Sequence, residues 1–592
     1  MKVLLTGNEA VARGAYEAGV IYASAYPGTP STEILENLTL YEGITSEWSP
    51  NEKVALEAVM GASFGGGRAM AAMKHVGLNV AADPFFTFSY TGVNAGAVII
   101  SADEPGQHSA QNEQDNRNYA KAAKVPMFEA SDSQECLDMI KEAYDISEEY
   151  DLPVLFRMTT RLCHGKSVVE TGERQEKEIK EFVKNPGKYV MVPGNARIRR
   201  VDLESRLERM KEYSENTRFN RTEINNKKIG VITSGMCYQY AKEVFGDTVS
   251  YLKLGFTNPM PDRMIETFAK GMDRIYVIEE NDPYIEERVR ILGFDCEGKN
   301  LFPKMGEMTA DVIRKSVYGK ELDTVDYNKD MVVPRPPTLC AGCPHRGFFY
   351  RLGKKKNIMI SGDIGCYTLG FAKPYNAIDT TVCMGASISM GHGAQKVFDK
   401  LENGKRVVSV IGDSTFFHTG INSLMTVIYN GSNTINVILD NRVTAMTGHQ
   451  ENPGSGKNAC GGPAPVTDIE DIVRALGFKN IRTINPNDLD EVEDALNESL
   501  ALDEPSVIIT RWPCALKKLS AMDMEEFKGV FSNKNYIEEE VCIGCRKCVR
   551  SGCPALVFNK EKKKTAIDLL QCVGCDVCTQ LCPTGAIRKK VD

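Results

Sequence analysis

Short apolar runs alternate with helix-like stretches over roughly the first 165 residues. Val3-Leu4-Leu5 and Ala97-Val98-Ile99-Ile100 read as buried strands, and Lys53 to Ala62 reads as a helix. Continuous apolar strands separated by helical segments predict a parallel sheet covered on both faces. The rhythm breaks at residues 166 to 227, where Glu170-Thr-Gly-Glu-Arg-Gln-Glu-Lys-Glu and the span from Arg197 to Lys228 are dense in charge. Few large apolar residues lie there, which predicts a solvated linker with some helix. A second α/β unit opens at Ile229-Gly-Val-Ile-Thr-Ser-Gly235, continues through a helix near 238 to 245 and returns at Arg274-Ile-Tyr-Val-Ile-Glu279. It gathers no catalytic residue types and reads as a structural or interface domain. Past Pro334-Arg-Pro-Pro337, a third α/β unit spans about 338 to 515, with strands at Arg406-Val-Val-Ser-Val-Ile411 and Thr434-Ile-Asn-Val-Ile-Leu439. An acidic stretch from Leu519 to Asn535 leads to the tail.

At 592 residues the chain exceeds one core and should hold about four domains. A net charge of −8 argues against nucleic acid as the main partner. No run of about 18 apolar residues and no signal-like leader is present, so a cytoplasmic protein without membrane contact is expected. The 18 cysteines fall in metal-ligand spacings rather than those of a small secreted disulfide scaffold, which points to a reducing compartment.

Two cysteine runs close the chain. Cys542-Ile-Gly-Cys545-Arg-Lys-Cys548 is followed by Cys553-Pro554, and Cys572-Val-Gly-Cys575-Asp-Val-Cys578 by Cys582-Pro583. Eight thiolates at this spacing suit two 4Fe-4S clusters with crossed ligation: Cys542, Cys545, Cys548 and Cys582 for one, Cys572, Cys575, Cys578 and Cys553 for the other. Zinc sites and a disulfide staple are the alternatives, but zinc favours paired CxxC or histidine ligands, and the tail has no His. Four residues rather than three separate Cys548 from Cys553, an expected local bulge. The tail, residues 535 to 592, resembles bacterial-type two-cluster ferredoxins.

Gly412-Asp413-Ser414 and, 25 residues later, Asp440-Asn441 each follow an apolar strand. Both side chains should emerge at the carboxyl edge of adjacent parallel strands, where oxygen ligands can hold magnesium against phosphate oxygens. A helix near 418 to 430 can aim N–H groups at an anion. The competing reading is that these are strand-ending turn residues.

The spacing resembles the thiamin diphosphate motif, Gly-Asp-Gly to Asn-Asn, with Ser414 and Asp440 as departures. That resemblance implies Mg2+ on Asp413, Asn441 and the carbonyl of Val443, with Gly412 and Ser414 beside the diphosphate. Cys383-Met-Gly385-Ala-Ser387 opens another helix, whose small residues either approach the diphosphate or permit close packing. Thiamin chemistry needs a carboxylate on the aminopyrimidine ring, and Glu52 is the candidate. Its rival role is a capping box with Ser49, with Pro50 at the first helical position. Tyr26-Pro27-Gly28-Thr29-Pro30-Ser31 resembles the Tyr-Pro-x-Thr-Pro-Ser signature of the pyruvate:ferredoxin oxidoreductase superfamily, which implies that Thr29 lies near the thiazolium and the substrate. Cys340-Ala-Gly-Cys343, Cys366 and Cys514 resemble that superfamily's proximal-cluster elements, with Cys460 a competing fourth ligand. Isolated Cys366 or Cys514 would otherwise be a small core residue, the reading given to Cys136, Cys163, Cys237, Cys296 and Cys383.

The domain order resembles the alpha subunits of indolepyruvate:ferredoxin oxidoreductases along the whole chain. It implies a pyrimidine-binding domain at 1–180, a linker at 181–227, a transketolase C-terminal-like domain at 228–330, a diphosphate domain at 331–520 and a ferredoxin domain at 530–592. The implied fold class is multidomain α/β, with doubly wound thiamin diphosphate-binding domains and the two-cluster tail. The implied reaction is oxidative decarboxylation of an aryl 2-oxo acid with coenzyme A, passing electrons through two or three 4Fe-4S clusters to ferredoxin. The implied partner is a small beta subunit, in a two-plus-two assembly. His108 and Arg117 are candidates for a substrate-side loop, where Arg117 would pair with the substrate carboxylate or form a surface ion pair. His449 is placed for proton transfer or a structural hydrogen bond. Rival functions are a non-oxidative thiamin decarboxylase or carboligase, and an electron-transfer subunit with a decayed thiamin site.

Overall fold

The computed structural model describes residues 1–320, 325–401, 404–527, 530–531 and 533–589. The chain divides into two compact units, Met1–Tyr327 and Asn328–Asp592.

The first unit is built on a seven-stranded sheet in the order Phe256–Asn258, Met127–Glu129, Val154–Thr159, Ala97–Asp103, Ala69–Lys74, Tyr22–Ala25, Thr45–Trp48. Every pairing is parallel except that of the edge strand Phe256–Asn258. Ala97–Asp103 and Val154–Thr159 are buried at every position, as expected of parallel strands covered on both faces. One apolar layer holds Ile100, Phe156, Ile140 and Leu137; the other holds Ile99, Leu56, Phe85 and Phe88. Val3-Leu4-Leu5 does not join this sheet. Lys2–Thr6 pairs antiparallel with Lys166–Glu170 instead, leaving Leu4 61% exposed.

The charged span is largely exposed and does contain a helix, but that helix docks on the first core. Pro193–Asn216 forms a 24-residue helix whose Leu203 and Met210 enter the first core, while Arg206 bonds the backbone carbonyls of Asp151 and Ser89. Its charge density concealed a sparse apolar stripe with a buried Arg between. The second α/β element, a four-stranded sheet centred on Ile229–Ser234, shares an apolar core with the first through Ile232, Leu252 and Phe268.

The second unit carries a five-stranded, all-parallel sheet in the order Ile358–Ser361, Arg406–Gly412, Ile435–Asp440, Ser506–Arg511, Asn480–Ile484. Its tail adds two antiparallel pairs, Asn535–Ile537 with Ile587–Lys589 and Leu556–Asn559 with Lys564–Ile567. Among the described residues its apolar cluster centres on Cys548, Leu556 and Ile587, with thiols among the residues packed on it. So small a core is of the kind that a metal group can reinforce. The extra residue between Cys548 and Cys553 is absorbed by a short 3-10 turn, Val549–Ser551, ending on Gly552 at φ 69°. Among the described residues, no helix is long and apolar enough to cross a membrane.

Candidate active site and cysteine array

In the first unit, the residues singled out from sequence gather where strands end. Tyr22–Ala25 leads into Tyr26–Ser31, Thr45–Trp48 precedes the helix that starts at Glu52, and Ala69–Lys74 runs into His75. The carboxyl edge of an open parallel sheet is where such folds bind ligands. The Tyr26–Ser31 turn is fixed by Gly28 N–H donating to Thr32 Oγ1 at 3.0 Å and by Asn8 donating to the Pro30 carbonyl at 2.7 Å. Thr29 stays partly open beside it. Gly28 has a packing reason as well: a Cβ there would stand 3.1 Å from the Lys74 side chain.

Glu52 is only 4% exposed and lies against Gly77, whose added Cβ would come within 2.8 Å of a Glu52 carboxyl oxygen. The capping box assigned to Ser49 and Glu52 is absent. The N-cap is Asn51, which accepts from Val54 N–H, and Ser49 pairs with Ser24 across 2.8 Å. Helix capping therefore does not account for the Glu52 carboxylate. Lys74 was not found from sequence. Its ammonium lies 3.3 Å from Glu104, whose carboxylate also takes the Ser109 N–H, and a lone Lys at a strand end carries no local signal.

The loop candidates fare differently. Arg117 is 1% exposed and committed to Asp115 and Glu279, at 2.7 Å for the latter, and to the carbonyls of Glu280 and Asp282. It is a buried strut joining the two sheets of this unit, and neither a substrate-carboxylate ligand nor a surface ion pair. His108 is nearly half exposed, with its ring nitrogen 3.8 Å from Glu307. The same loop lines an open cavity of about 1150 Å³ through amides such as Gln111, Asn112, Gln114 and Asn116.

In the second unit, Asp413 and Asn441 do converge. The Val443 N–H lies 3.2 Å from a carboxylate oxygen of Asp413 and 3.2 Å from the side-chain oxygen of Asn441. Asn452, silent in the sequence, donates to the same Asp413 oxygen at 2.9 Å. Burial, reinforced by Asp440, pushes Asp413 up to about 7. Asp440 has its own cations, Arg511 at 2.9 Å and Arg442 at 4.0 Å. Among the described residues no Lys or Arg pairs with Asp413, so this buried carboxylate lacks a counter-cation. An oxygen-rich pocket missing one positive charge fits a magnesium ion.

After Asp413–Thr415 the chain makes a π-turn at Phe416–Gly420 before the helix Ile421–Tyr429. Such turns recur at functional sites. Gly385, at φ 82°, is packed so tightly that a Cβ would overlap Thr419. Its N–H and that of Ser387 are both held by buried Asp363, at 2.8 and 3.0 Å. Close packing is thus the observed role, and those two amides are already bound. His449 is partly buried at φ 69° in the loop after Thr444.

The dispersed cysteines lie beside Asp413. Cys343 is within electrostatic reach of Cys366 and Cys514, Cys366 of Cys514 and Cys340, and Cys514 of Cys340 and Asp413. Cys514 N–H donates to the Asn441 carbonyl at 3.2 Å, one residue beyond the paired strands. Tyr367 fills the gap on the other side, bonding Thr415 at 3.1 Å and packing so close to Gly412 that a Cβ there would meet its ring at 2.5 Å. Cys460 instead stands exposed in a loop closed by Asn458. Cys136, Cys163, Cys237 and Cys296 are buried as expected, whereas Cys383 is exposed.

The tail thiols lie close together. Cys578 is within electrostatic reach of Cys575, Cys553, Cys572 and also Cys548, and Cys548 of Cys582 and Cys545. The first of these groups sits nearer the dispersed set, since a Cβ on Gly342, in the Cys340–Cys343 loop, would meet Val573 at 2.0 Å. Among the described residues no three Cys, His, Asp or Glu side chains converge as a single-ion site does.

Comparison with known proteins covers the same ground. Residues 13–228 match the family described as pyruvate flavodoxin/ferredoxin oxidoreductase, thiamine diphosphate-binding; residues 363–510 match the C-terminal binding domain of thiamine pyrophosphate enzymes; and residues 534–583 match a 4Fe-4S dicluster domain. Proteins named indolepyruvate oxidoreductase subunit IorA are similar along nearly the full length. That of Pyrococcus horikoshii is 41% identical and that of Archaeoglobus fulgidus 40%, each alignment covering 99% of this chain and 97% of the relative. A 2-oxoglutarate synthase subunit KorA of Methanothermobacter marburgensis is 28% identical over 31% of this chain and 52% of its own.

Proposed function

Because the chain belongs to the indolepyruvate oxidoreductase IorA family, within the thiamin diphosphate-dependent 2-oxoacid:ferredoxin oxidoreductases, we propose that its substrate is an aryl 2-oxo acid, converted with coenzyme A to the acyl-CoA and CO2. Oxidative decarboxylation of a 2-oxo acid with electrons passed to ferredoxin is the activity of the family, and thiamin diphosphate and 4Fe-4S clusters are its cofactors. Thiamin diphosphate, when bound, supplies the electron sink for decarboxylation. Asp413, Asn441 and the Val443 carbonyl would hold its diphosphate through Mg2+, beside Gly412 and Ser414. Glu52 would address the aminopyrimidine ring, with Tyr26 and Pro27 shaping the pocket and Thr29 facing the substrate. Of the other substrate candidates, His108 and His449 remain in the reading.

The observation that carries electron transfer is the hydrogen bond from Cys514 to the Asn441 carbonyl. It puts a cysteine of the Cys340, Cys343, Cys366 and Cys514 set one residue contact from the proposed magnesium ligand. A third, proximal cluster on these four residues gives electrons a short exit toward the tail. Iron content tests the count: about 12 iron atoms per chain are expected for three clusters, falling to about 8 in Cys366→Ser. Eight in the unsubstituted protein would remove the proximal cluster.

The word subunit in the relatives' name supports a partner polypeptide, and the family match at residues 13–228 supports ferredoxin as acceptor. The proposed partner is a small beta subunit in a two-plus-two assembly. Anaerobic assay with that subunit, coenzyme A, a viologen dye and indolepyruvate, phenylpyruvate or pyruvate tests the substrate. The aryl acids should exceed pyruvate in kcat/KM by at least about tenfold, the scale set by one well-buried apolar group. Dye reduction with pyruvate alone would overturn the substrate assignment, and aldehyde or acyloin without dye reduction would favour the non-oxidative reading.

A further inference from the structure

Arg346 is a buried cation with no carboxylate partner. It is 1% exposed, at the head of the helix His345–Leu352 that follows the Cys340–Cys343 loop. Its guanidinium donates to the carbonyls of Leu339 and Cys340, the Tyr375 hydroxyl and the Ser551 carbonyl, the last at 3.3 Å. Its Nε has no hydrogen-bond partner, and among the described residues no Asp or Glu pairs with it. A guanidinium stays charged, and a buried charge without a counter-ion is costly. Some anion is therefore missing from the ordinary side chains around it.

Two cysteine sets lie around it. Arg346 bonds the Cys340 carbonyl at 2.6 Å, and Cys343 and Cys575 are both within its electrostatic reach. Tyr375, which Arg346 bonds, lies within reach of both Cys343 and Cys553 and donates to the Ser551 carbonyl at 2.8 Å. A Cβ on Gly552 would stand 2.8 Å from the Tyr375 hydroxyl, so the Cys553 turn is seated on this pair. Among the described residues, no hydrogen bond joins Arg346 to Cys542, Cys545, Cys548 or Cys582.

We propose that Arg346 is a positioning residue for electron transfer: the shared counter-cation of the proximal cluster on Cys340, Cys343, Cys366 and Cys514 and of the tail cluster on Cys553, Cys572, Cys575 and Cys578. The inference rests on the proximal-cluster reading above. A cluster ligated by four thiolates is an anion and gains one negative charge on reduction, so a fixed positive charge favours its reduced state. With both clusters bound, the electron lost by one would be the electron gained by the other, no proton would move, and the guanidinium would keep its charge. A fixed positive charge between the two cysteine sets would ease reduction of each cluster and leave the step between them nearly level.

The test is an EPR-monitored redox titration of the full-length protein with its partner subunit, for wild type, Arg346→Gln and Arg346→Lys. In Arg346→Gln both neighbouring clusters should become on the order of tenfold harder to reduce, which for a one-electron couple is about 59 mV, with the Cys542 cluster unmoved. Unchanged potentials, or an equal shift of all three clusters, would overturn the proposal. Arg346→Lys keeps the charge and decides the matter should the Gln variant fail to assemble. Equilibrium constants for reduction within about twofold of wild type, or about 18 mV, are expected of it, and a tenfold shift despite the retained charge would overturn the proposal. A wild-type titration that finds two clusters and not three refutes the proximal-cluster reading itself, an outcome distinct from three clusters that are indifferent to Arg346.

Discussion

Glu52→Gln should leave a folded, iron-replete protein whose turnover falls by roughly 10²- to 10⁴-fold, the scale of removing a positioned acid–base group. The expectation follows from what the side chain does not do. Helix capping is performed by Asn51, so the substitution leaves the first turn intact. The change is nearly isosteric, and Gln fills the same space against Gly77, where any larger group would collide. The Glu52 carboxylate is buried at the start of its helix, at the sheet edge where open parallel sheets bind ligands. Viologen reduction with 2-oxo acid and coenzyme A gives the rate, and visible cluster absorbance gives the control. A rate within tenfold of wild type would remove Glu52 from the chemistry.

Asp413→Asn should act in opposite directions on the cofactor and on the apo fold. Loss of the anionic oxygen should weaken retention of Mg2+ and thiamin diphosphate by at least about tenfold, read by calorimetric titration. The metal-free protein should meanwhile become less sensitive to high pH. Burial, with Asp440 beside it, raises Asp413 from 3.8 to about 7 in the fold. A carboxyl raised in the native state contributes its full stability below the unfolded value of 3.8 and loses it as pH climbs through about 7. Apo wild type should therefore lose a few kcal/mol between pH 4 and pH 8 that the Asn variant keeps. Scanning calorimetry of the chelator-treated proteins at pH 5 and pH 8 measures the difference. A parallel decline in both proteins would show that Asp413 is not the strained group.

What could be read in the sequence was what neighbouring residues encode. Cysteines two apart must lie together whatever the fold, and Asp413 and Asn441 were placed correctly because adjacent parallel strands end at one edge. The errors came from tertiary context. Arg117 looked like a loop cation, yet its charge is consumed by Glu279, 162 residues along. The helix Pro193–Asn216 looked too polar to dock, but Leu203 and Met210, flanked by Leu207 and Tyr213, seat it in the core. Val3-Leu4-Leu5 had the composition of a core strand and serves as a side ribbon, because its partner Lys166–Glu170 arrives from the far end of the domain. Asn452 and Arg346 could not be found locally at all. Each is defined by a group it meets across the fold, Asp413 for one and the Cys553 turn for the other.

Electrons released from the 2-oxo acid should enter clusters held by this same chain. Rapid-freeze EPR of the holoenzyme with its partner subunit, mixed anaerobically with indolepyruvate and coenzyme A and no dye or ferredoxin, tests it most directly. Reduced-cluster signals should rise within a single turnover in the wild-type protein and be absent in Glu52→Gln. Acyl-CoA formed while every cluster stays oxidised would contradict the account.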